Sequence, residues 1–280
     1  MSENKQKTDF SNWLVATDID GTLNNKLRHL PKKNLDAITE FVVEKKGNFT
    51  LASGRNPNSM RKTFESLPIS KTPVVLFNGA GVYDYNTEKM LWFKEINEEG
   101  VLLTKSVIKK FPSVEVEIVT KDMMYCINAH LFVGAMLLVD KTPSKHCTIG
   151  EVPTNGWAKV IFMGMPNLIS EVKKYLLSIE APNVNFMSSS IASFEMLDGG
   201  VHKGVGVMKV AEILGVDYKH TAAIGDYFND YEMLKSVYLP ACCKQAPKGM
   251  HEIAKFEACH CNKGAVSDLL QYIMNVYKED

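Results

Sequence analysis

The feature that most constrains this chain is a recurring pair: a short, continuously apolar run followed by a polar cluster. Trp13-Leu-Val-Ala-Thr17 runs into Asp18-Ile-Asp20-Gly-Thr22, and Phe49-Thr-Leu-Ala52 runs into Ser53-Gly54-Arg55. Val74-Val-Leu-Phe77 ends in Asn78-Gly79. His220 to Ile224 ends in Gly225-Asp226, with Asn229 and Asp230 close behind. Apolar runs without alternation read as strands buried on both faces, as in a parallel sheet. Helical spacing fills the gaps. Leu35, Ile38, Phe41 and Val42 precede a stop at Gly47, and a polar helix starts near Pro57. Further helices are predicted from about Gly204 to Leu214 and over Ala265 to Val276, with a strand at Val237-Tyr-Leu239 between them. In open α/β sheets, ligand sites lie in the crevice beyond the C-terminal strand ends. Four distant segments therefore converge on one pocket.

Each cluster also has a local explanation. Asp-Gly is a common turn. Ser53-Gly54 suits a helix-entry cap. Asn78-Gly79 ahead of Tyr83-Asp84 suits a hairpin turn, and Asp226 to Asp230 suits a cap for the helix that follows. Convergence is what favours chemistry over these separate readings. Three or four carboxylates in one pocket repel one another unless a cation sits among them.

The middle of the chain, from about Tyr85 to Leu197, follows another rule. Over Ser113 to Thr120, Val114, Val116 and Ile118 alternate with Glu115, Glu117 and Val119, which predicts a half-exposed strand with one wet face. Ala158 to Phe162 and Ile191 to Met196 read as strands, with helices near Gly100 to Phe111 and Leu168 to Ile179. The predicted fold is α/β: a Rossmann-like parallel-sheet core from residues 12–85 and 197–280, with an inserted α+β cap domain at 86–196.

Composition excludes several classes of partner. Lys plus Arg is 32 and Asp plus Glu is 32. This balance leaves no electrostatic footprint for nucleic acid or an acidic membrane. Arg is confined to Arg28, Arg55 and Arg61, which singles out Arg55 for planar anion recognition. No apolar stretch approaches the length of a membrane-spanning helix. Met1 to Asn12 is polar, the six Cys form no CxxC pair, and a cytoplasmic location with free thiols is expected. Cys242, Cys243, Cys259 and Cys261 are read as packing residues, because structural zinc sites favour spaced ligand pairs.

Asp18-Ile-Asp20-Gly-Thr22 resembles the first motif of the haloacid dehalogenase-like hydrolase superfamily. Ser53-Gly-Arg55 resembles the second motif, Lys203 in Val201-His-Lys-Gly204 the third, and Gly225-Asp226-Tyr-Phe-Asn229-Asp230 the fourth. The insert between the second and third, with Asn78-Gly-Ala80 at its hinge and Gly264-Ala-Val-Ser-Asp268 near the end, is similar to the Cof-like subgroup with a large α/β cap. The resemblance implies that Asp18 is a nucleophile forming an aspartyl-phosphate. Asp20 would be the general acid and base, positioned by Thr22. Ser53, Gly54, Arg55, Asn78, Lys203 and Asn229 would meet phosphate or substrate. Mg²⁺ would be held by Asp18, the Asp20 carbonyl and Asp226, with Asp230 in the same shell.

The implied function is Mg²⁺-dependent hydrolysis of small phosphorylated metabolites such as sugar phosphates. Alternatives are a phosphomutase of the same superfamily and a non-catalytic phospho-metabolite sensor. The cap holds 11 Lys, no Arg and 12 acidic residues, which argues against a dedicated clamp for a second phosphate. His130, His146, Tyr125 and Trp157 are candidate cap contacts. Met123, Met124, Met136, Met163 and Met165 read as core filler. Nothing in the sequence specifies an oligomeric state.

Overall fold

The computed structural model describes residues 9–139 and 142–277. In chain order the strands are β1 (Leu14–Thr17), β2 (Asn48–Leu51), β3 (Val74–Leu76), β4 (Gly81–Asp84), β5 (Lys89–Phe93), β6 (Glu115–Thr120) and β7 (Met124–Ile127). They continue with β8 (Ser144–His146), β9 (Trp157–Met163), β10 (Val184–Ser190), β11 (Ser193–Asp198), β12 (Thr221–Gly225), β13 (Leu239–Cys243) and β14 (Phe256–Ala258). The helices are α1 (Lys32–Thr39), α2 (Pro57–Glu65), α3 (Glu98–Lys110), α4 (Leu131–Val139), α5 (Pro166–Leu177), α6 (Lys203–Leu214), α7 (Tyr231–Lys235), α8 (Lys248–His251) and α9 (Ala265–Val276). Among the described residues, no helix is long and apolar enough to cross a membrane.

The apolar runs build a five-stranded sheet in the order β14-β13-β12-β1-β2, parallel at every pairing. Successive side chains on a strand point to opposite faces. Leu14 and Ala16 therefore join Val207, Val210 and Met233 of α6 and α7 on one face. Val15 joins Ile38, Leu269 and Ile273 of α1 and α9 on the other. Both faces are covered, which is why every residue of β1, β12 and β13 is buried.

Two details of the core differ from expectation. The strand expected at Val237 to Leu239 lies two residues later, at Leu239–Cys243, where Cys242 and Cys243 pack as buried strand residues. The third apolar run meets the parallel sheet through the Ala52–Val75 bridge and otherwise pairs antiparallel with β4, which in turn pairs with β5. The β3–β4 turn takes Phe77 (φ 53°), Asn78 (φ 56°) and Gly79 (φ 105°) into the left-handed region. Gly79 is required there, because a Cβ would lie 2.0 Å from the His202 carbonyl oxygen. The tight approach sets Asn78 beside the start of α6. Residue 85, where the division was expected, lies between β4 and β5, which pair as a hairpin.

The second layer is a six-stranded sheet, β10-β11-β9-β6-β7-β8, antiparallel except at β7–β8. Val116, Ile118, Val160, Phe162 and Phe194 pack under α3 and α5 with Val107, Ile169 and Val172. The opposite face was expected to be wet, and it is not: Glu115 and Glu117 are 4% and 1% exposed. The reason is that this face is covered as well, by α4 at one end and by the core domain across a cavity at the other.

Glu115 shows how a buried carboxylate is tolerated. It accepts N–H groups from His130 (3.0 Å), Phe132 (3.1 Å) and Val133 (2.7 Å) at the start of α4. Burial alone would raise its pKa, but these three bonds outweigh it and hold the carboxyl below the usual range. Glu115→Gln should therefore cost about 1–3 kcal/mol at neutral pH. A group with a depressed folded pKa stabilises above its unfolded pKa, so the cost should shrink as pH falls below about 4. Chemical denaturation of both proteins across pH 3–7 measures it.

Candidate active site

Asp18 follows the last residue of β1, Lys203 opens α6, and Asp226 and Asp230 follow β12. The fold brings these segments into contact. Lys203 Nζ lies 2.6 Å from Asp18 Oδ1 and 2.7 Å from Asp230 Oδ1, and the side chains are 1%, 10% and 0% exposed respectively. Asp230 Oδ2 accepts the Asp226 N–H at 3.1 Å, which folds the loop after β12 back on itself. Gly21 (φ 91°) could carry no side chain, since a Cβ would sit 2.4 Å from Asp226 Oδ2. Thr22 was expected to position Asp20; its Oγ1 instead donates toward Asp226 Oδ1 at 3.4 Å.

Burial pushes the Asp18 carboxyl up to about 6; Lys203 pulls it back and Asp230 adds to the rise. Burial, with Asp18 second, also pushes Asp226 up to about 6. Burial works against the Lys203 ammonium, but Asp18 and Asp230 outweigh it and raise its pKa. Oxygens of Asp18, Asp226 and Asp230 lie within 4.8 Å of one another, and one ammonium faces three carboxylates. This hard-oxygen set with surplus negative charge fits a divalent cation such as Mg²⁺. Within it Asp230 has both oxygens occupied, by Lys203 and by the loop N–H, so it frames the cluster. The Asp20 side chain lies outside it, half-exposed and ion-paired to Arg55 Nη2 at 2.9 Å.

Arg55 thus orients Asp20, and its Nη1 also donates to Thr63 Oγ1 at 3.1 Å. Ser53 is buried and its Oγ accepts the Arg55 N–H at 3.3 Å. The Asn78 N–H donates to the Ser53 carbonyl at 2.9 Å, which ties the β3–β4 turn to this loop. Asp18, Asp20, Ser53, Gly54, Arg55, Asn78, Lys203, Asp226 and Asn229 all line one cavity of about 660 Å³. Asn229 is half-buried in its wall.

The roof of that cavity is residues that sequence reading missed: Glu117 and Val119 of β6, Lys159 and Ile161 of β9, Met187 and Ser188 of β10, and Glu195 of β11. The available signal was the Glu115–Glu117 alternation, taken for a solvent face. The cap residues proposed from sequence lie elsewhere. Trp157 is buried with its indole N–H donating to Pro153, Tyr125 packs partly on the same cluster, and His130 and His146 are exposed. Met124 and Met163 are core residues as expected, but Met165 is 63% exposed, and the Met136 side chain lies outside the described residues. Gln245 was also missed: it donates to the Gly21 carbonyl at 2.7 Å and accepts the Cys261 N–H.

Removing the ammonium from this cluster leaves buried carboxylates uncompensated. Lys203→Met should destabilise the metal-free protein by about 3–5 kcal/mol. Adding Asp230→Asn should recover part of that loss, because one of the stranded charges is removed with it. Thermal melts of the single and double variants in chelator test this.

The sequence profile of the haloacid dehalogenase-like hydrolases matches residues 15–270. The 5-amino-6-(5-phospho-D-ribitylamino)uracil phosphatase YcsE of Bacillus subtilis is 26% identical, over 90% of this chain and 91% of its own. A Streptococcus pyogenes protein, provisionally named a phosphatase, is 25% identical over 94% of this chain and 98% of its own. Among solved structures, a haloacid dehalogenase-like hydrolase from Bacteroides thetaiotaomicron superposes with a TM-score of 0.81 at 17% identity, covering 93% of this chain and 99% of that one. A subclass IIB sugar phosphatase superposes at 0.77, also at 17% identity, covering 93% and 98%. The chain belongs to the haloacid dehalogenase-like hydrolase family.

Proposed function

We propose that the protein hydrolyses small phosphorylated metabolites, with Mg²⁺, through a phosphoryl group carried transiently on Asp18. The observation that carries this reading is the placement of the Asp18 carboxylate. It is buried at the cavity floor and held by Lys203, with Asp226 beside it and Asp20 at the mouth. Asp18 attacks phosphorus, and the bond from phosphorus to the leaving oxygen breaks. Asp20, oriented by Arg55, gives its proton to that oxygen. A water molecule, deprotonated by Asp20, then attacks the same phosphorus. Phosphate leaves and the Asp18 carboxylate is regenerated. Ser53 and Lys203 would hold phosphoryl oxygens as charge shifts among them. Mg²⁺, held by Asp18, Asp226 and the Asp20 carbonyl, would offset the negative charge of the transferred group.

Asp18→Asn should lower kcat by about 10³-fold or more, since a neutral amide does not attack phosphorus. Circular dichroism of the variant should match wild type, which separates loss of the nucleophile from loss of the fold. Chelator should abolish wild-type turnover of p-nitrophenyl phosphate, and Mg²⁺ should restore it, whereas Ca²⁺ should restore it poorly because its larger shell misplaces phosphate and nucleophile. Wild-type rates in Asp18→Asn, or in metal-free protein, would end this reading.

A further inference from the structure

We infer that Glu117, Lys159 and Glu195 form a charge filter over the phosphoryl site. It selects monophosphates whose leaving group is neutral or cationic and rich in hydroxyl or amino donors, and it turns away leaving groups with a second anion. This inference rests on the phosphatase reading above and names the substrate class for that same site.

The three residues share one face of the cap sheet. Glu117 and Glu195 both stand opposite Ile161, from the strands on either side of β9, and Lys159 lies two residues before Ile161. They are 1%, 6% and 7% exposed, in the order Glu117, Glu195, Lys159. All three line the cavity whose floor is Asp18 and Lys203. Lys159 Nζ contacts Glu195 Oε2 at 3.0 Å, and Asn78 Nδ2 donates to the same oxygen at 3.1 Å. The roof thus carries two carboxylates against one ammonium, and that ammonium is already engaged.

Buried ion pairs stabilise folds weakly, and apolar residues of similar volume serve as well or better. The neighbouring positions Val119 and Ile161 show that this face accommodates them. Charge at the other three is therefore explained by what the cavity receives. A carboxylate only accepts hydrogen bonds, so the ligand atoms facing it must donate. The remaining cations of the lining point the same way. Lys203 is bound to Asp18 and Asp230, and Arg55 to Asp20, which leaves Arg28 at the exposed rim. A second phosphate or a carboxylate under the roof would meet like charge in a poorly screened space.

The test uses matched pairs on three scaffolds with Mg²⁺: glucose 6-phosphate against 6-phosphogluconate, glycerol 3-phosphate against 3-phosphoglycerate, and fructose 6-phosphate against fructose 1,6-bisphosphate. Glucosamine 6-phosphate supplies the cationic case. Each is measured by turnover and, where turnover is slow, by competition with p-nitrophenyl phosphate. The neutral or cationic member should be favoured by about tenfold or more in kcat/KM or in inhibition constant. Equal or stronger use of the anionic member in the pairs would overturn the inference. In Glu117→Gln, with folding checked by circular dichroism, the neutral-to-anionic ratio should fall by about tenfold; an unchanged ratio would remove Glu117 from the filter. Absence of any p-nitrophenyl phosphate turnover by wild-type protein would instead sink the phosphatase reading itself.

Discussion

The structure depends on one ammonium. Lys203 Nζ sits between Asp18 and Asp230, so a single side chain joins the end of β1, the start of α6 and the loop after β12. Those segments are far apart in sequence, and the parallel sheet puts their ends at one edge. Burying a lysine is costly unless carboxylates surround it, and burying carboxylates is costly unless a cation does. Each group is tolerable because of the others. The cluster still holds more negative than positive charge, a balance that suits a divalent cation.

A second constraint couples this floor to its roof. The left-handed turn at Phe77 to Gly79 makes three contacts through Asn78 and Gly79. The Asn78 backbone N–H holds the Ser53 carbonyl, its side chain reaches Glu195 of the cap, and Gly79 packs on the residue before Lys203. One strained turn therefore registers the Ser53 loop, the start of α6 and the cap sheet against one another. Backbone outside the favoured regions persists only where surroundings impose it, and here the imposed geometry aligns two layers over a common cavity.

Much of the floor was legible in the chain because both faces of a parallel sheet are covered. Its strands must be apolar to their ends, so Asp18, Ser53 and Asp226 stand out as the first polar groups beyond them. Asn78 was legible as a hairpin turn and as a candidate site residue; it forms the turn between β3 and β4 and lines the cavity. The roof was not legible. An alternating strand shows which residues share a face, but not what covers that face, so Glu115 and Glu117 looked like solvent positions. One instead caps α4 and the other lines the cavity. Arg55 illustrates a similar limit. Its type suggested anion binding; its pairing with Asp20 became visible only in three dimensions. At β3 the parallel contact with the core sheet is there, through the Ala52–Val75 bridge, but the antiparallel pairing with β4 was not legible, because an apolar triplet fits either kind of neighbour.

The central claim is that the phosphoryl group passes through Asp18 before it reaches water. The most direct measurement is the stereochemical course at phosphorus, using a phosphorothioate monoester made chiral with two oxygen isotopes and hydrolysed in water carrying the third, so that the thiophosphate released is itself chiral. Two successive in-line displacements, first by Asp18 and then by water, predict retention of configuration. Inversion would mean a single direct attack by water, and would contradict the role assigned to Asp18.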